Sequence, residues 1–173
     1  SLNMKNTKFK VIFNKVGYTS SGCDDVEFYV SFNLGENLNP LNKVASGGEM
    51  SRFMLAFKKI LSDVDKIETM IFDEIDTGIS GRAAQVVGEK LAEMAKHKQL
   101  ICITHLPQIA AFADDHYYIE KNVENERTFT SIRNLSYQDR QEEIARLISG
   151  KIITEKTLEH SHEMIELAKK TKA

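Results

Sequence analysis

A chain of 173 residues, 42% hydrophobic and 28% charged, is long enough to bury a core as one domain of ordinary size. A net charge of −2 argues against the chain as the main surface holding a nucleic acid, although a local basic patch stays open. No apolar run approaches the roughly 18 residues of a membrane span. No signal peptide is visible, and the cysteines, Cys23 and Cys102, form no CxxC pair, which fits a reducing compartment.

In chain order, Phe9, Val11 and Phe13 alternate with polar residues, as do Val26, Phe28, Val30 and Phe32. Both runs predict half-buried strands, joined by a loop containing Gly17 and Gly22. Residues 33–45 are turn-rich and predict irregular chain. Met50, Phe53, Met54, Phe57, Ile60 and Leu61 follow the helical period and predict a helix over about 47–62. Residues 69–72 (TMIF) predict a short buried strand, 81–96 a helix, 99–104 (QLICIT) a second buried strand and 106–113 a short helix. Two further strands are expected near 116–121 and 127–133, and two closing helices near 137–149 and 154–170. Buried apolar strands alternating with helices predict an α/β fold with a largely parallel sheet flanked by helices. The opening strands read as an antiparallel β addition at the N-terminal end. No internal repeat or low-complexity tract is visible.

Three stretches carry candidate chemistry. In "KVASGGEMSRFM", Ser46 and Glu49 have the spacing of a capping box, which suffices as local structure. It does not account for Gly47 and Gly48, which cost roughly 1 kcal/mol each in a helix relative to alanine. Glycines in the first turn bare N–H groups at the positive helix end, where a phosphate oxygen can sit with the Ser46 hydroxyl as a further donor. In "TMIFDEIDTG", four apolar residues deliver Asp73 and Glu74 to the carboxyl end of a strand, the edge where open α/β sheets bind ligands. Asp73 suits Mg²⁺, which takes few carboxylates and keeps its waters. Glu74 suits proton abstraction from water. A solvated strand-to-loop turn completed by Asp76 and Gly78 is the alternative. In "LICITHLPQ", the second buried strand ends at Thr104-His105, on the same predicted rim, and Pro107 suits a helix start. His160 and His162, two apart, diverge on a helix, and His97 and His116 read as surface or edge residues. A phosphate loop needs G-x-x-x-x-G-K-[ST]. The Gly150-Lys151 pair has Ala145 and Ile152 at the positions that would complete it, so the motif fails at both ends. A phosphate-handling rim without its cradle reads as half of a site.

The order Ser46-Gly47-Gly48-Glu49, Phe72-Asp73-Glu74, His105 resembles the signature motif, Walker B and switch histidine of ABC-type ATPases. "DEIDTGISG" is similar to the SMC-like branch of these ATPases. "VASGGEMSRFMLAFK", "IFDEIDTGISGRAA", "THLPQIAAFAD" and "EIARLISG" together resemble the RecN family of bacterial DNA-repair proteins over about 40–160. The resemblance implies that residues 1–173 are the C-terminal lobe of an ATPase head, with the P-loop lobe upstream. It implies ATP and Mg²⁺ as ligands, and a second head joined in an ATP-dependent homodimer. It further implies DNA engaged by the full-length protein in double-strand break repair and recombination, no membrane, and a cytoplasmic, nucleoid-associated location. Position by position, Ser46, Gly47, Gly48 and Glu49 match the loop that touches ATP on the other head. Asp73 matches the Mg²⁺-associated aspartate, Glu74 the catalytic glutamate and His105 the switch histidine. Asp76, Thr77, Gly78 and Ser80 fall in the D-loop, which crosses the dimer interface. Two departures stand out: Ala45 replaces the usual leucine before the signature serine, and Ser80 replaces the usual D-loop aspartate. Other readings are a chromosome-organising SMC head, a transporter ATPase subunit, a non-catalytic interaction module that keeps the fold, and a direct DNA-binding domain.

Overall fold

The structure is a computed structural model and describes residues 2, 4, 6–44, 47–61, 66–124 and 127–172. Ala45 and Ser46 lie outside the described residues, and so does the serine half of the expected capping box.

The chain opens with a long antiparallel hairpin, β1 (Lys8–Thr19) and β2 (Gly22–Ser31). Alternation puts Phe9, Val11 and Phe13 opposite Val30, Phe28 and Val26, so one face of the hairpin is apolar. The stretch expected to be irregular contains a two-residue strand, β3 (Asn39–Pro40), paired with Val30 and Tyr29, and a 3₁₀ turn at Leu41–Lys43. Helix α1 (Gly47–Ile60) lays Phe53 and Phe57 across the apolar face. The rings of Phe9, Phe28, Phe53 and Phe57 sit with centroids 5.4 to 6.2 Å apart, in tilted, edge and stacked pairs.

Next comes a strand–helix–strand unit: β4 (Thr69–Phe72), α2 (Gly81–Ala95) and β5 (Gln99–Cys102). The two strands pair in parallel, Met70 beside Leu100 and Phe72 beside Cys102. A helical crossover is what lets short consecutive strands run parallel. Met70 and Phe72 join Ile75, Ala84, Val87, Leu91, Met94 and Ile109 in the main core, which Leu55 of α1 caps. Beyond β5 lies the short α3 (Pro107–Ala110), started by Pro107 as expected but ending earlier than residue 113. A second antiparallel hairpin follows, β6 (Tyr117–Glu124) and β7 (Arg127–Asn134), then α4 (Tyr137–Ser149) and α5 (Glu155–Lys172). Ile144 and Ile165, both fully buried, meet Ala92, Ala110, Ala111 and Phe112 in a second core that seats α4 and α5 on α2 and α3.

The α/β class and the N-terminal antiparallel addition stand as expected. The strands among the described residues form three separate sheets, one parallel pair and two antiparallel sheets, flanked by helices. Among the described residues, parallel pairing is confined to β4 and β5, and the other strands pair antiparallel, mostly through hairpins that follow directly in sequence. No helix among the described residues is long and apolar enough to cross a membrane.

Candidate functional site

Strand β4 ends where its core contacts end. Phe72 and Ile75 are 6% and 0% exposed, and the chain between them must turn outward and back, which leaves Asp73 and Glu74 in solvent. The turn is made by placing Glu74 at φ +56°, the sole non-glycine residue at positive φ among those described. The left-handed region costs a side-chain-bearing residue about 1–2 kcal/mol, and such strain collects where a side chain must be aimed. Two hydrogen bonds hold the turn: the Thr77 N–H donates to the Glu74 carbonyl at 3.1 Å, and the Glu74 N–H donates to Asp73 Oδ1 at 2.9 Å.

The start of α1 presses against this turn, and here the two glycines acquire a reason the sequence did not offer. A Cβ on Gly47 would overlap the Glu74 carboxylate. A Cβ on Gly48, which is buried, would stand 2.7 Å from the Thr77 carbonyl oxygen and 2.8 Å from its Cβ. At Gly48 bare backbone is therefore needed for helix and turn to touch, whereas at Gly47 the atom in the way is the end of the flexible Glu74 side chain. Gly47 stays exposed, with Glu74 at the positive end of the helix. One turn on, Ser51 donates to the Asp73 carbonyl at 2.9 Å. Arg52, 5% exposed, donates through Nη1 to the carbonyls of Ile75 at 3.2 Å and Thr77 at 2.7 Å. Burial pulls the Arg52 pKa down, and Glu49 partly opposes that pull.

The third component comes from the end of β5. The Ile103 N–H still donates to the Phe72 carbonyl at 2.9 Å, so the chain leaves the strand beside the acidic turn. There Asp76 Oδ2 accepts from the Thr104 hydroxyl at 2.7 Å and the His105 N–H at 2.9 Å, and lies 3.0 Å from His105 Nδ1. Asp73, Glu74, Asp76, Thr77, Ile103, Thr104 and His105 together line a cleft of about 270 Å³.

Five of the candidate residues, Asp73, Glu74, Asp76, Thr77 and His105, thus share one cleft, with Gly47 and Gly48 against its wall. Glu49, Gly78 and Ser80 do not line it, and Ser46 lies outside the described residues. Thr77, Gly78 and Ser80 are exposed. Asp76, expected to share that role, is 4% exposed and turned inward. Arg52, Ser51 and Thr104 were missed. For Arg52 a signal existed: it stands four residues after Gly48 and three before Leu55, a charge on the buried face of α1.

The cleft is electronegative at its base. Burial pushes the Cys102 thiol up to about 12, with Asp76 and Asp73 adding to the shift. Among the described residues no three His, Cys, Asp or Glu side chains are grouped to hold a metal ion. An Mg²⁺ ion held by one carboxylate, phosphate oxygens and water needs no such group, so exposed Asp73 fits that mode of binding.

No family model matches the chain. Curated proteins do. Over 97% of its length the chain is 47% identical to the DNA repair protein RecN of Halalkalibacterium halodurans, covering 31% of that protein. The chain is RecN-like along nearly its whole length. It is also 47% identical over 91% of its length to RecN of Bacillus subtilis (27% of that protein), and 42% identical over 96% to RecN of Haemophilus influenzae (30% of that protein). The chain therefore spans about 30% of the length of the relatives it matches. Among solved structures, the Smc head domain with coiled coil and joint from Pyrococcus yayanosii aligns with 86% of this chain and 27% of its own, at a TM-score of 0.59 and 20% identity. The Smc head with extended coiled coil from Pyrococcus furiosus aligns with 85% and 35%, at 0.53 and 20%. The RecN-like chain thus has the fold of part of an SMC head.

Replacing Gly48 by alanine should force the 75–77 turn off α1 and lower stability by about 1–3 kcal/mol, read as a lower urea midpoint; an unchanged midpoint would remove the close-approach argument. With its thiol near 12, Cys102 should resist iodoacetamide at pH 8 in the folded chain and react once the chain is unfolded, as mass spectrometry of the alkylated peptides would reveal.

Proposed function

We propose that this chain is the C-terminal lobe of a RecN-type ATPase head, one that hydrolyses ATP between two associated heads and serves DNA double-strand break repair and recombination in the bacterial cytoplasm, at the nucleoid. The observation that carries the reading is the convergence, in a chain 47% identical to RecN, of Asp73, Glu74 and His105 on one cleft walled by the glycine start of α1.

The roles follow from position. Asp73, at the strand end, would hold Mg²⁺, whose contribution is to neutralise charge on the phosphates. Glu74, exposed and aimed by its left-handed backbone, accepts a proton from the attacking water. His105 lines the same cleft and would donate to an oxygen of the transferring phosphoryl group. Gly47 and the start of α1 offer N–H groups to the nucleotide of the opposite head, and the exposed Thr77–Ser80 loop meets that head. Donors divided between two heads make ATP a ligand that joins them, and hydrolysis removes the joining phosphate.

The parallel unit supports the idea of a partner lobe. Parallel strands are usually covered on both faces. Here Met70 and Phe72 are buried, while Ile71, Ile101 and Ile103 on the other face are 67%, 46% and 50% exposed. A lobe carrying the P-loop would cover that face and supply the missing phosphate cradle.

Two outcomes are expected. The chain alone, given ATP and Mg²⁺, should release almost no phosphate, and the full-length protein should turn ATP over; robust turnover by the purified chain would defeat the half-site. In the full-length protein Glu74→Gln should abolish hydrolysis yet allow ATP-dependent head association, seen by cross-linking or sedimentation. Near-normal turnover in that variant would remove Glu74 from the role of base.

A further inference from the structure

Asp76 is the one acid of the turn that faces inward, and nothing in the roles above uses its carboxylate. We propose that Asp76 is the positioning residue of His105: it keeps a proton on Nδ1 and so makes Nε2 the nitrogen presented to the cleft. This rests on the reading of His105 as a group that acts on the phosphoryl transfer.

The geometry is specific. A single carboxylate oxygen, Asp76 Oδ2, takes the His105 backbone N–H at 2.9 Å and lies 3.0 Å from the Nδ1 of the same residue. The two contacts grip root and ring together, which restricts the side-chain torsions between them. The Thr104 hydroxyl is the third donor, at 2.7 Å, and itself accepts the Leu106 N–H at 3.1 Å, so the segment on both sides of His105 is tied to the same acid. The carboxylate side chain is 5% exposed and the imidazole 74%. The anchor is thus in the protein and the working end in solvent.

An ionised carboxylate only accepts hydrogen bonds, so the nitrogen against it carries the hydrogen. In the neutral ring this leaves the lone pair on Nε2, able to accept a hydrogen bond from a water in the cleft while Glu74 remains the base. In the protonated ring the Nε2–H becomes a donor to a phosphate oxygen while Nδ1–H stays on Asp76. One nitrogen serves both tasks, and the ring need not turn between them. A buried carboxylate without partners would be costly, and the three donors that satisfy it all come from Thr104 and His105. Sequence spacing did not suggest this pairing, because the acid lies in one strand-end turn and the histidine in another.

The test is a double-substitution cycle in the full-length protein. Asp76→Asn is nearly isosteric but replaces the acceptor-only carboxylate by an amide whose NH2 can donate to an unprotonated Nδ1, so it no longer selects the Nδ1–H tautomer, and thermal unfolding monitors folding. Steady-state ATPase assays should give a kcat lowered about tenfold or more by His105→Ala, and a comparable fall with Asp76→Asn while KM for ATP stays within about twofold. In the His105→Ala background, Asp76→Asn should cost nothing further. Nitrogen-15 spectra of histidine-labelled protein should place the His105 proton on Nδ1 in the unsubstituted protein and show that preference weakened by Asp76→Asn. Full activity of Asp76→Asn beside an impaired His105→Ala overturns the inference alone, and so does an added loss in the double variant, which would mark Asp76 as merely structural. An unimpaired His105→Ala overturns the role of His105 and the inference with it. A proton on Nε2 in the unsubstituted protein also overturns the inference, whatever the turnover.

Discussion

The constraint on which the site depends is the contact between the first turn of α1 and the turn after β4. It is made of absent atoms as much as present ones: Gly48 has no Cβ, so the helix can lie against the backbone of Thr77. Arg52 then ties the same turn to the helix through two backbone carbonyls. Bonds from a charged donor are stronger than neutral ones, and here they are made within the protein, next to the fully buried Ile75. With the turn so clamped, Glu74 can be kept in a left-handed conformation that its own side chain disfavours.

A consequence is that motifs far apart in the chain form one mechanical unit. Asp73 is held through its carbonyl by Ser51 of α1. Asp76, on the inward side of the same turn, holds Thr104 and His105 from the end of β5. The start of α1 is thus joined to the acids, and through Asp76 to the histidine, by direct contacts. The exposed isoleucine face of β4 and β5 lies on the opposite side of these strands from the main core and leaves that clamp undisturbed.

Much of this was legible in residues 69–105. The apolar runs before Asp73 and Thr104 sufficed to predict two strands with their chemistry at one edge, because strand ends in an α/β unit follow from chain order and crossover handedness; each strand nevertheless keeps one exposed face where a buried strand was expected. The opening runs were read as an antiparallel addition and pair so, but the mutual pairing of the runs near 116–121 and 127–133 was not legible, because a strand-forming run does not by itself name its partner. Arg52 escaped because periodicity treats a charge on an apolar face as an exception. Asp76 was placed in the D-loop because the resemblance follows the order of residues, which does not say which of them turns inward; a carboxylate with three donors around it is at home in the interior.

The sequence by itself determined the kinship with RecN, the order of the motifs and the strand–helix–strand unit that carries them, since these depend on residue identity and local period. Only the tertiary structure decided which way each loop residue points, why Gly48 must lack a side chain, and that Asp76 lies against His105 within the same chain. Those outcomes depend on contacts between segments dozens of residues apart, whose energies are comparable to local preferences and are set only when the elements have packed.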